Sequence, residues 1–105
     1  MMSERYKDCI AACLECVKAC HYCVAGDLKE DHDMTECIRL NIECAAICSA
    51  TAKLMTMESD QAVALAKLCA ELCKKCEREC SCHNSQHCRD CAKACHACAL
   101  LCNTL

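Results

Sequence analysis

The chain has 105 residues and a net charge of −3, with 18 cysteines, one glycine and no proline, tryptophan or phenylalanine. This length allows a single domain, 1–105, and the scarcity of turn residues excludes a β-rich fold. The slight acidity and the near absence of aromatic residues argue against a nucleic-acid partner. Any core must therefore be built largely from cysteine and alanine.

The N-terminal residues carry no basic segment followed by an apolar run, so we expect no secretory signal. No stretch approaches about 18 uncharged apolar residues, so we expect no membrane span. The cytoplasm is therefore the expected location. In that reducing compartment, dense cysteine favours metal binding over disulfide bonds.

The first predicted helix carries five cysteines separated by alternating steps of four and three residues: Cys9, Cys13, Cys16, Cys20 and Cys23. This spacing places all five thiols on one face of a helix that packs against partners. The following segment, 26–31, predicts a loop with Gly26 as the helix C-cap. A second, apolar stripe beside the thiols predicts homo-oligomerisation through that face: Ile10, Leu14, Val17, Val24 and Leu28.

The second predicted helix has a sparser set of cysteines: Cys37, Cys44 and Cys48. The same alternating steps of three and four residues also place Met34, Asn41, Thr51 and Met55 on this face. The two methionines are either thioether ligands or apolar plugs at the helix ends. A buried Asn41 needs partners, which are either a metal ion for its carbonyl oxygen or a hydrogen bond across the bundle. The segment 56–60 predicts the next loop, with Thr56 or Ser59 as an N-cap.

The third and fourth predicted helices repeat the thiol stripe: Cys69, Cys73, Cys76 and Cys80, then Cys88, Cys91, Cys95, Cys98 and Cys102. The segment 81–85 separates them, with Asn84 or Ser85 as the cap. Residues 13–23 and 88–98 share the pattern C-x-[ED]-C-x-K-A-C-H-x-C, as if one helix template were reused. Four helices of roughly 20–25 residues with short loops predict an all-α, antiparallel up-down-up-down four-helix bundle with a cysteine-lined core.

A column of buried thiols is poorly explained by packing or by disulfides. Leucine or isoleucine would stabilise each such position better by buried area alone. Side chains four residues apart on a helix have Cβ atoms roughly 5–6 Å apart, whereas a disulfide needs about 3.5–4.5 Å. Metal binding is therefore the favoured interpretation of the column.

Thiolates select Cu(I), Zn(II) or iron–sulfur clusters. The compact loop run of an iron–sulfur protein is absent, and the C-x₂-C pairs share residues in a ladder instead of forming separate zinc knuckles. Cu(I) accepts two or three thiolates, and one Cu(I) per thiolate is neutral, so a buried core can fill without accumulating charge. We expect on the order of 18 Cu(I) per chain. The alternatives are a zinc or mixed d¹⁰-metal buffer and, less favoured, an iron–sulfur electron carrier.

The two ends of the bundle differ in composition. One end collects Cys23, Asp27, His32, Met34, Cys82, His83, His87 and Cys88. The other collects Met2, Tyr6, Met55, Met57, Ala62, Leu65 and Leu105. His83 and His87 extend the thiol stripe of the third helix, so we expect copper to enter beside them. Cys82 lies off the stripe and is either a further ligand at that end, which is the favoured interpretation, or the one free thiol.

The expected metal ligands are thus two histidines and every cysteine: His83, His87, Cys9, Cys13, Cys16, Cys20, Cys23, Cys37, Cys44, Cys48, Cys69, Cys73, Cys76, Cys80, Cys82, Cys88, Cys91, Cys95, Cys98 and Cys102. His32 is expected to be exposed, and His21 and His96 to lie in helix contacts or on the surface. No catalytic residue is expected, because no cysteine has a recognisable His–Asp partner.

The repeated C-x₃-C-x₂-C-x₃-C ladder on four helices resembles the four-helix-bundle copper storage proteins, in their cytosolic bacterial branch. The resemblance covers the whole chain. It implies storage of many Cu(I) ions by the stripe cysteines, including Cys37, Cys44 and Cys48, and assembly as a homotetramer. A copper chaperone or a small thiol is the expected source of the copper.

Overall fold

The computed structural model describes residues 4–105 and contains four α-helices: α1 (Lys7–Asp27), α2 (Thr35–Thr56), α3 (Ala62–Ser81) and α4 (Gln86–Asn103). The connections are short, covering residues 28–34, 57–61 and 82–85. No strand occurs within the described residues. The predicted α-helical class and the positions of all three loops are confirmed, although α4 has 18 residues and is shorter than expected.

The helices form a four-cornered bundle with extents of 46 × 19 × 18 Å. α1 packs on α2 and α4, and α3 packs on the same two helices, so α1 and α3 occupy one diagonal. Cys23 near the end of α1 contacts Cys88 near the start of α4, and Cys48 contacts Cys69 across α2 and α3. These contacts define the predicted antiparallel up-down-up-down arrangement.

Each helix buries its thiol stripe and exposes a charged face. The stripe cysteines from Cys13 to Cys102 are fully buried, and alanines such as Ala45, Ala66 and Ala99 pack beside them. Pairs on the outer faces, including Lys18–Glu15 at 3.2 Å and Arg39–Glu43 at 2.6 Å, follow the three- and four-residue spacing of helix neighbours. The sequence pattern therefore sets which side of every helix faces the interior.

By length and composition alone, α1 is apolar enough to cross a membrane. The absence of a long uncharged apolar stretch had predicted no such helix. Much of this apolar character comes from cysteines, and those side chains face the interior of the bundle. A core helix passes the same test as a spanning helix, so the composition of α1 is weak evidence for a membrane span.

The prediction that Gly26 is a left-handed C-cap is wrong. α1 continues through Gly26 to Asp27, and no glycine has a positive φ among the residues described. A Cβ atom on Gly26 would lie 2.5 Å from the ring of His87. The glycine is therefore required for the close approach of a side chain from α4.

The ends of the other helices agree only in part with the predicted caps. The left-handed residue after α2 is Glu58, with φ of 53°. Gln61 is the N-cap of α3, so Thr56 and Ser59 are not. Ser85 is the N-cap of α4 as predicted, but its hydroxyl donates to Glu30 Oε1 at 2.6 Å instead of capping the helix.

Candidate metal centre

The interior of the bundle is a column of sulfur atoms that is interrupted by Asn41. Seventeen of the 18 cysteines are buried, and only Cys82 is exposed. Neighbouring Sγ atoms in the column lie 3.6–4.0 Å apart. No disulfide occurs between the cysteines described.

The shortest sulfur contacts join different helices. Cys44 on α2 lies 3.6 Å from Cys73 on α3, and Cys16 on α1 lies 3.7 Å from Cys95 on α4. Contacts along one helix, such as Cys16–Cys20, are 4.0 Å. The four helices thus share one column, because thiols such as Cys16 and Cys44 have neighbours both along their own helix and across the bundle.

Groups of four thiols are close enough to hold a metal ion, with all Sγ atoms of a group within 4.8 Å of one another. Five of these groups, taken along the bundle, are Cys13/Cys69/Cys98/Cys102, Cys48/Cys69/Cys73/Cys98, Cys16/Cys44/Cys48/Cys73, Cys16/Cys20/Cys44/Cys95 and Cys20/Cys76/Cys91/Cys95. Successive groups share members. A thiolate in this column therefore belongs to more than one potential site.

Burial favours the protonated form of a thiol. It raises the pKa of Cys9, and burial followed by the negative charge of Asp27 raises the pKa of Cys88 to about 11. The hydrogen bond with Cys16 raises the pKa of Cys20, and burial adds to that rise. A metal ion must displace the protons of such thiols to bind.

Asn41 interrupts the thiol column and is fully buried. Its Oδ1 accepts from the Sγ of Cys91 at 2.8 Å and of Cys76 at 3.4 Å. Its Nδ2 donates to the carbonyl of Cys37 at 2.8 Å. Hydrogen bonds across the bundle to α3 and α4 thus satisfy the carbonyl oxygen of this amide, as the second of the two predicted alternatives requires.

At the polar end of the bundle, a buried carboxylate lies against the outermost thiols. The side chain of Asp27 is completely buried. Its Oδ1 accepts from Cys88 Sγ at 3.5 Å, from Cys23 Sγ at 3.8 Å and from His87 Nε2 at 3.1 Å. Three groups from α1 and α4 therefore converge on one oxygen atom.

The two predicted histidine ligands lie beside this carboxylate end but have different partners. His87 Nε2 is also 3.5 Å from Glu30 Oε1, and its side chain is 17% exposed. His83 Nε2 lies 2.9 Å from Glu79 Oε2, and its ring is 6.5 Å from that of His32 between centroids. The structure brings His87 to the thiol column and places His83 nearer the rim.

The opposite end is closed by apolar groups. Tyr6, Met55 and Ala62 are buried there, while Cys9 Sγ donates to the carbonyl of Leu101 at 3.3 Å. Met34 is also buried, at the polar end. Met2 lies outside the described residues.

Three candidate residues lie outside the column. Cys82 is exposed, and its Sγ donates to the carbonyl of Arg78 at 3.3 Å. His21 is exposed, and His96 pairs with Glu77 at 3.1 Å on the outer surface. The structure thus brings 17 cysteines together and leaves Cys82 outside them.

Sequence reasoning placed Asp27 at the polar end without giving it a role. The signal was present, because Asp27 follows Cys23 by four residues and so continues the thiol rhythm of α1. No comparable sequence signal points to Gly26, because its role is to leave room for the ring of His87 on α4.

The fold and the column define a class of protein: a helical bundle whose interior offers many shared thiolates to soft metal ions. The family model for the copper storage proteins matches residues 2–105. The chain belongs to the copper storage protein family, as the resemblance in the sequence indicated.

Known relatives agree with this membership. The chain is 42% identical over 105 residues to the uncharacterised cysteine-rich protein YhjQ of Bacillus subtilis, covering 97% of both. It is similar to the Cu(I)-bound copper storage protein BsCsp3, with 40% identity, a TM-score of 0.93 and coverage of 96% and 97%. It is also similar to a cytosolic copper storage protein from Streptomyces lividans loaded with five coppers, with 36% identity, a TM-score of 0.92 and coverage of 96% and 91%.

Proposed function

We propose that this chain stores Cu(I) inside the bundle, at about one ion per buried cysteine. The observation that carries the proposal is the network of Sγ–Sγ contacts of 3.6–4.0 Å that links thiols of all four helices. A thiolate that lies between two neighbours can bridge two copper ions. The Cu(I)-bound state of BsCsp3 and the copper-loaded state of the Streptomyces protein support the choice of metal.

The charge balance of the core favours Cu(I) over Zn(II). A bridged Cu(I)–thiolate column with equal numbers of ions and thiolates is neutral, so it can occupy a dry interior. Separate tetrahedral Zn(II) sites with four thiolates would each carry two negative charges. Such separate Zn(II) sites cannot share thiols, and three of the four-thiol groups have no member in common: Cys13/Cys69/Cys98/Cys102, Cys16/Cys44/Cys48/Cys73 and Cys20/Cys76/Cys91/Cys95.

The test is a titration of the reduced, metal-free protein with Cu(I) against a chromogenic chelator, in parallel with Zn(II). We expect saturation near 17 Cu(I) per chain, one for each buried thiol, and saturation with far fewer Zn(II), about three to four. Saturation at about four or five Cu(I) would contradict shared thiolates. A brown protein with visible charge-transfer bands after isolation would favour the iron–sulfur alternative.

Two cysteine variants sharpen the titration. Cys44→Ser removes a thiol that contacts Cys16, Cys48, Cys73 and Cys95, and we expect the loss of about two copper ions. Cys82→Ser is the matched control, because its thiol is exposed and outside the column. Equal losses in the two variants would show that burial does not decide which cysteines store copper.

Copper is proposed to enter at the polar end, beside His83 and His87. A groove of about 350 Å³ opens there, lined by Tyr22, Gly26, Lys29, Glu30 and His87 among others. This groove fits delivery by a small thiol or by the exposed loop of a copper chaperone.

We place the protein in the cytoplasm, as the Streptomyces relative is described as cytosolic. We also propose that the protein stores copper without catalysing a reaction, and that residues 1–105 act as one domain.

Assembly as a homotetramer is proposed as well. Leu14 and Leu28 on α1 are 55% and 69% exposed, and Leu14 lines an apolar groove with Ala52 and Met57. Burial of such side chains against other copies would remove apolar area from water. Native mass spectrometry of the wild type and of Leu14→Glu tests this: a tetramer that Leu14→Glu disrupts supports it, and a wild-type monomer contradicts it.

A further inference from the structure

We propose that Asn41 divides the stored copper into two pools, a small outer pool that exchanges quickly and a large inner pool behind it. The inference rests on the proposed function, because it concerns the order in which stored ions leave the bundle. It starts from the position of Asn41 on α2. The steps of four and three residues between Cys37 and Cys44 would place a cysteine there, and that thiol is missing.

A backbone group fixes the orientation of the buried Asn41 amide. Nδ2 lies 2.8 Å from the carbonyl oxygen of Cys37, which can only accept a hydrogen bond, so the nitrogen must be on this side. Oδ1 therefore faces the other way, toward Cys91 Sγ at 2.8 Å and Cys76 Sγ at 3.4 Å. The amide thus presents its N–H donors to one set of thiols and its oxygen to another.

The N–H side of the amide faces the thiols nearest the polar end. Nδ2 lies 3.3 Å from Cys37 Sγ and 3.6 Å from both Cys23 Sγ and Cys80 Sγ. Cys80 also contacts Cys37, and Cys23 contacts Cys88, each at 3.9 Å. We call these four thiols the outer set, and the remaining 13 buried cysteines the inner set.

The two sets are joined by little sulfur. Of the thiol–thiol hydrogen bonds within residues 4–105, one crosses from the outer to the inner set, between Cys80 and Cys76 at 4.0 Å. Thiols of the inner set are linked more closely, since Cys48 lies 3.6 Å from Cys69 and 3.7 Å from Cys73. The passage of an ion from sulfur to sulfur therefore narrows to one step beside the amide.

The amide itself is a poor carrier of copper across this level. Its oxygen is a hard, neutral donor, whereas Cu(I) prefers thiolate sulfur that can bridge two ions. On the outer side, a cation would meet the positive ends of the N–H bonds. Copper that passes Asn41 must use the Cys76–Cys80 step or disrupt the hydrogen bonds of the amide, and both routes are slower than exchange within one set.

The first test follows the removal of copper from the filled, reduced protein by an excess of a chromogenic Cu(I) chelator. We expect a fast phase of about four ions and a slow phase of about 13, one ion for each thiol of the outer and inner sets. The slow phase should be about 5- to 10-fold slower, which is the factor for breaking one buried hydrogen bond. A single phase that releases all the ions would overturn the proposal.

Two cysteine variants of α2 assign the phases. Cys37→Ser removes a thiol of the outer set and should reduce the fast phase by about one to two ions, leaving the slow phase unchanged. Cys48→Ser is the matched variant, because Cys48 is also completely buried, and it should reduce the slow phase instead. Equal losses from both phases in each variant would contradict the division into two sets.

Further variants alter the division itself. Asn41→Cys restores the missing thiol, so the two phases should merge and about one more ion should be stored. Cys76→Ser removes the connecting thiol and should slow the slow phase further, whereas Cys69→Ser, on the same helix, should not. Cys76→Ser retains Asn41 and remains informative if Asn41→Cys folds poorly. Unchanged rates in Cys76→Ser would contradict passage through the Cys76–Cys80 step.

The outcomes separate this inference from the proposed function. If the wild type fails to bind many Cu(I) ions, the storage function is wrong. If the wild type fills but releases its copper in one phase that Asn41→Cys leaves unchanged, storage stands and the role of Asn41 is wrong.

Discussion

The two ends of the bundle have the same thiol pattern but different coverings. At the polar end, Cys23 and Cys88 lie beneath Asp27 and His87, both of which can bind protons or metal ions. At the apolar end, Tyr6 and Met55 are buried and offer no charged group. We therefore expect the column to set how much metal the chain can hold, and the covering side chains to set where metal enters.

The largest expected effect comes from opening the apolar end. Met55 is completely buried, so Met55→Ala should lower the free energy of unfolding of the metal-free protein by about 3 kcal/mol through the cavity it leaves. Chemical denaturation measures this loss. The exposed Met57 is the matched control, since Met57→Ala should change stability by less than about 0.5 kcal/mol. Faster copper loading in Met55→Ala would show that the apolar end is a second entrance.

Removing the histidines at the polar end should affect the rate of copper loading more than the number of ions bound. The double variant His83→Ala/His87→Ala should slow transfer from a chelated Cu(I) donor by about 10- to 100-fold, because imidazole donors at the rim are lost. Capacity should fall by no more than about two ions. His21→Ala/His96→Ala is the control, as both rings are exposed on outer faces. Unchanged kinetics in the rim variant would remove the assignment of the entrance.

Alkaline pH should weaken the metal-free fold at the polar end. The pKa of Cys88 is raised from 9.0 to about 11, so the folded state retains a proton that the unfolded state loses above pH 9. This stabilising contribution is complete below pH 9 and disappears as the pH rises to 11, at a cost of about 2 kcal/mol from this thiol. Denaturation curves across that range measure the loss, and Cys88→Ser should reduce it. An equal loss in Cys88→Ser would place the effect elsewhere in the column.

The smallest expected effect concerns the loop after α2, at the apolar end. Glu58 has φ of 53°, which costs a residue with a Cβ atom about 1 kcal/mol. Glu58→Gly should therefore raise the free energy of unfolding by about 0.5–1 kcal/mol, without changing copper loading. A destabilised Glu58→Gly variant would show that the Glu58 side chain makes a stabilising contribution larger than its backbone strain.

Much of the fold could be predicted from the spacing of one residue type. Alternating steps of three and four residues place Cys13, Cys16 and Cys20 on one helix face, and short loops make consecutive helices antiparallel. The helix ends were less predictable: α3 begins after Gln61 and not after Thr56 or Ser59, and the hydroxyl of Ser85, the predicted cap of α4, contacts Glu30 instead of the helix. Local sequence preference does not encode such contacts between segments.

The candidate site was only partly visible in the sequence. Cys82 is two residues from Cys80, and the structure exposes it, because a step of two residues turns a side chain away from the stripe. The sequence allows either a metal ion or a hydrogen bond as the partner of Asn41. The distances to Cys91 and Cys76 show hydrogen bonds across the bundle.

The sequence by itself determined that four amphipathic helices turn their thiols toward one another, because helical periodicity converts spacing into a face. Only the tertiary structure decided that sulfur atoms from different helices approach to 3.6 Å, and that a ring from α4 lies over Gly26 to reach Asp27. Those contacts join residues between 29 and about 60 positions apart, and their geometry follows from how the helices pack and not from any local pattern.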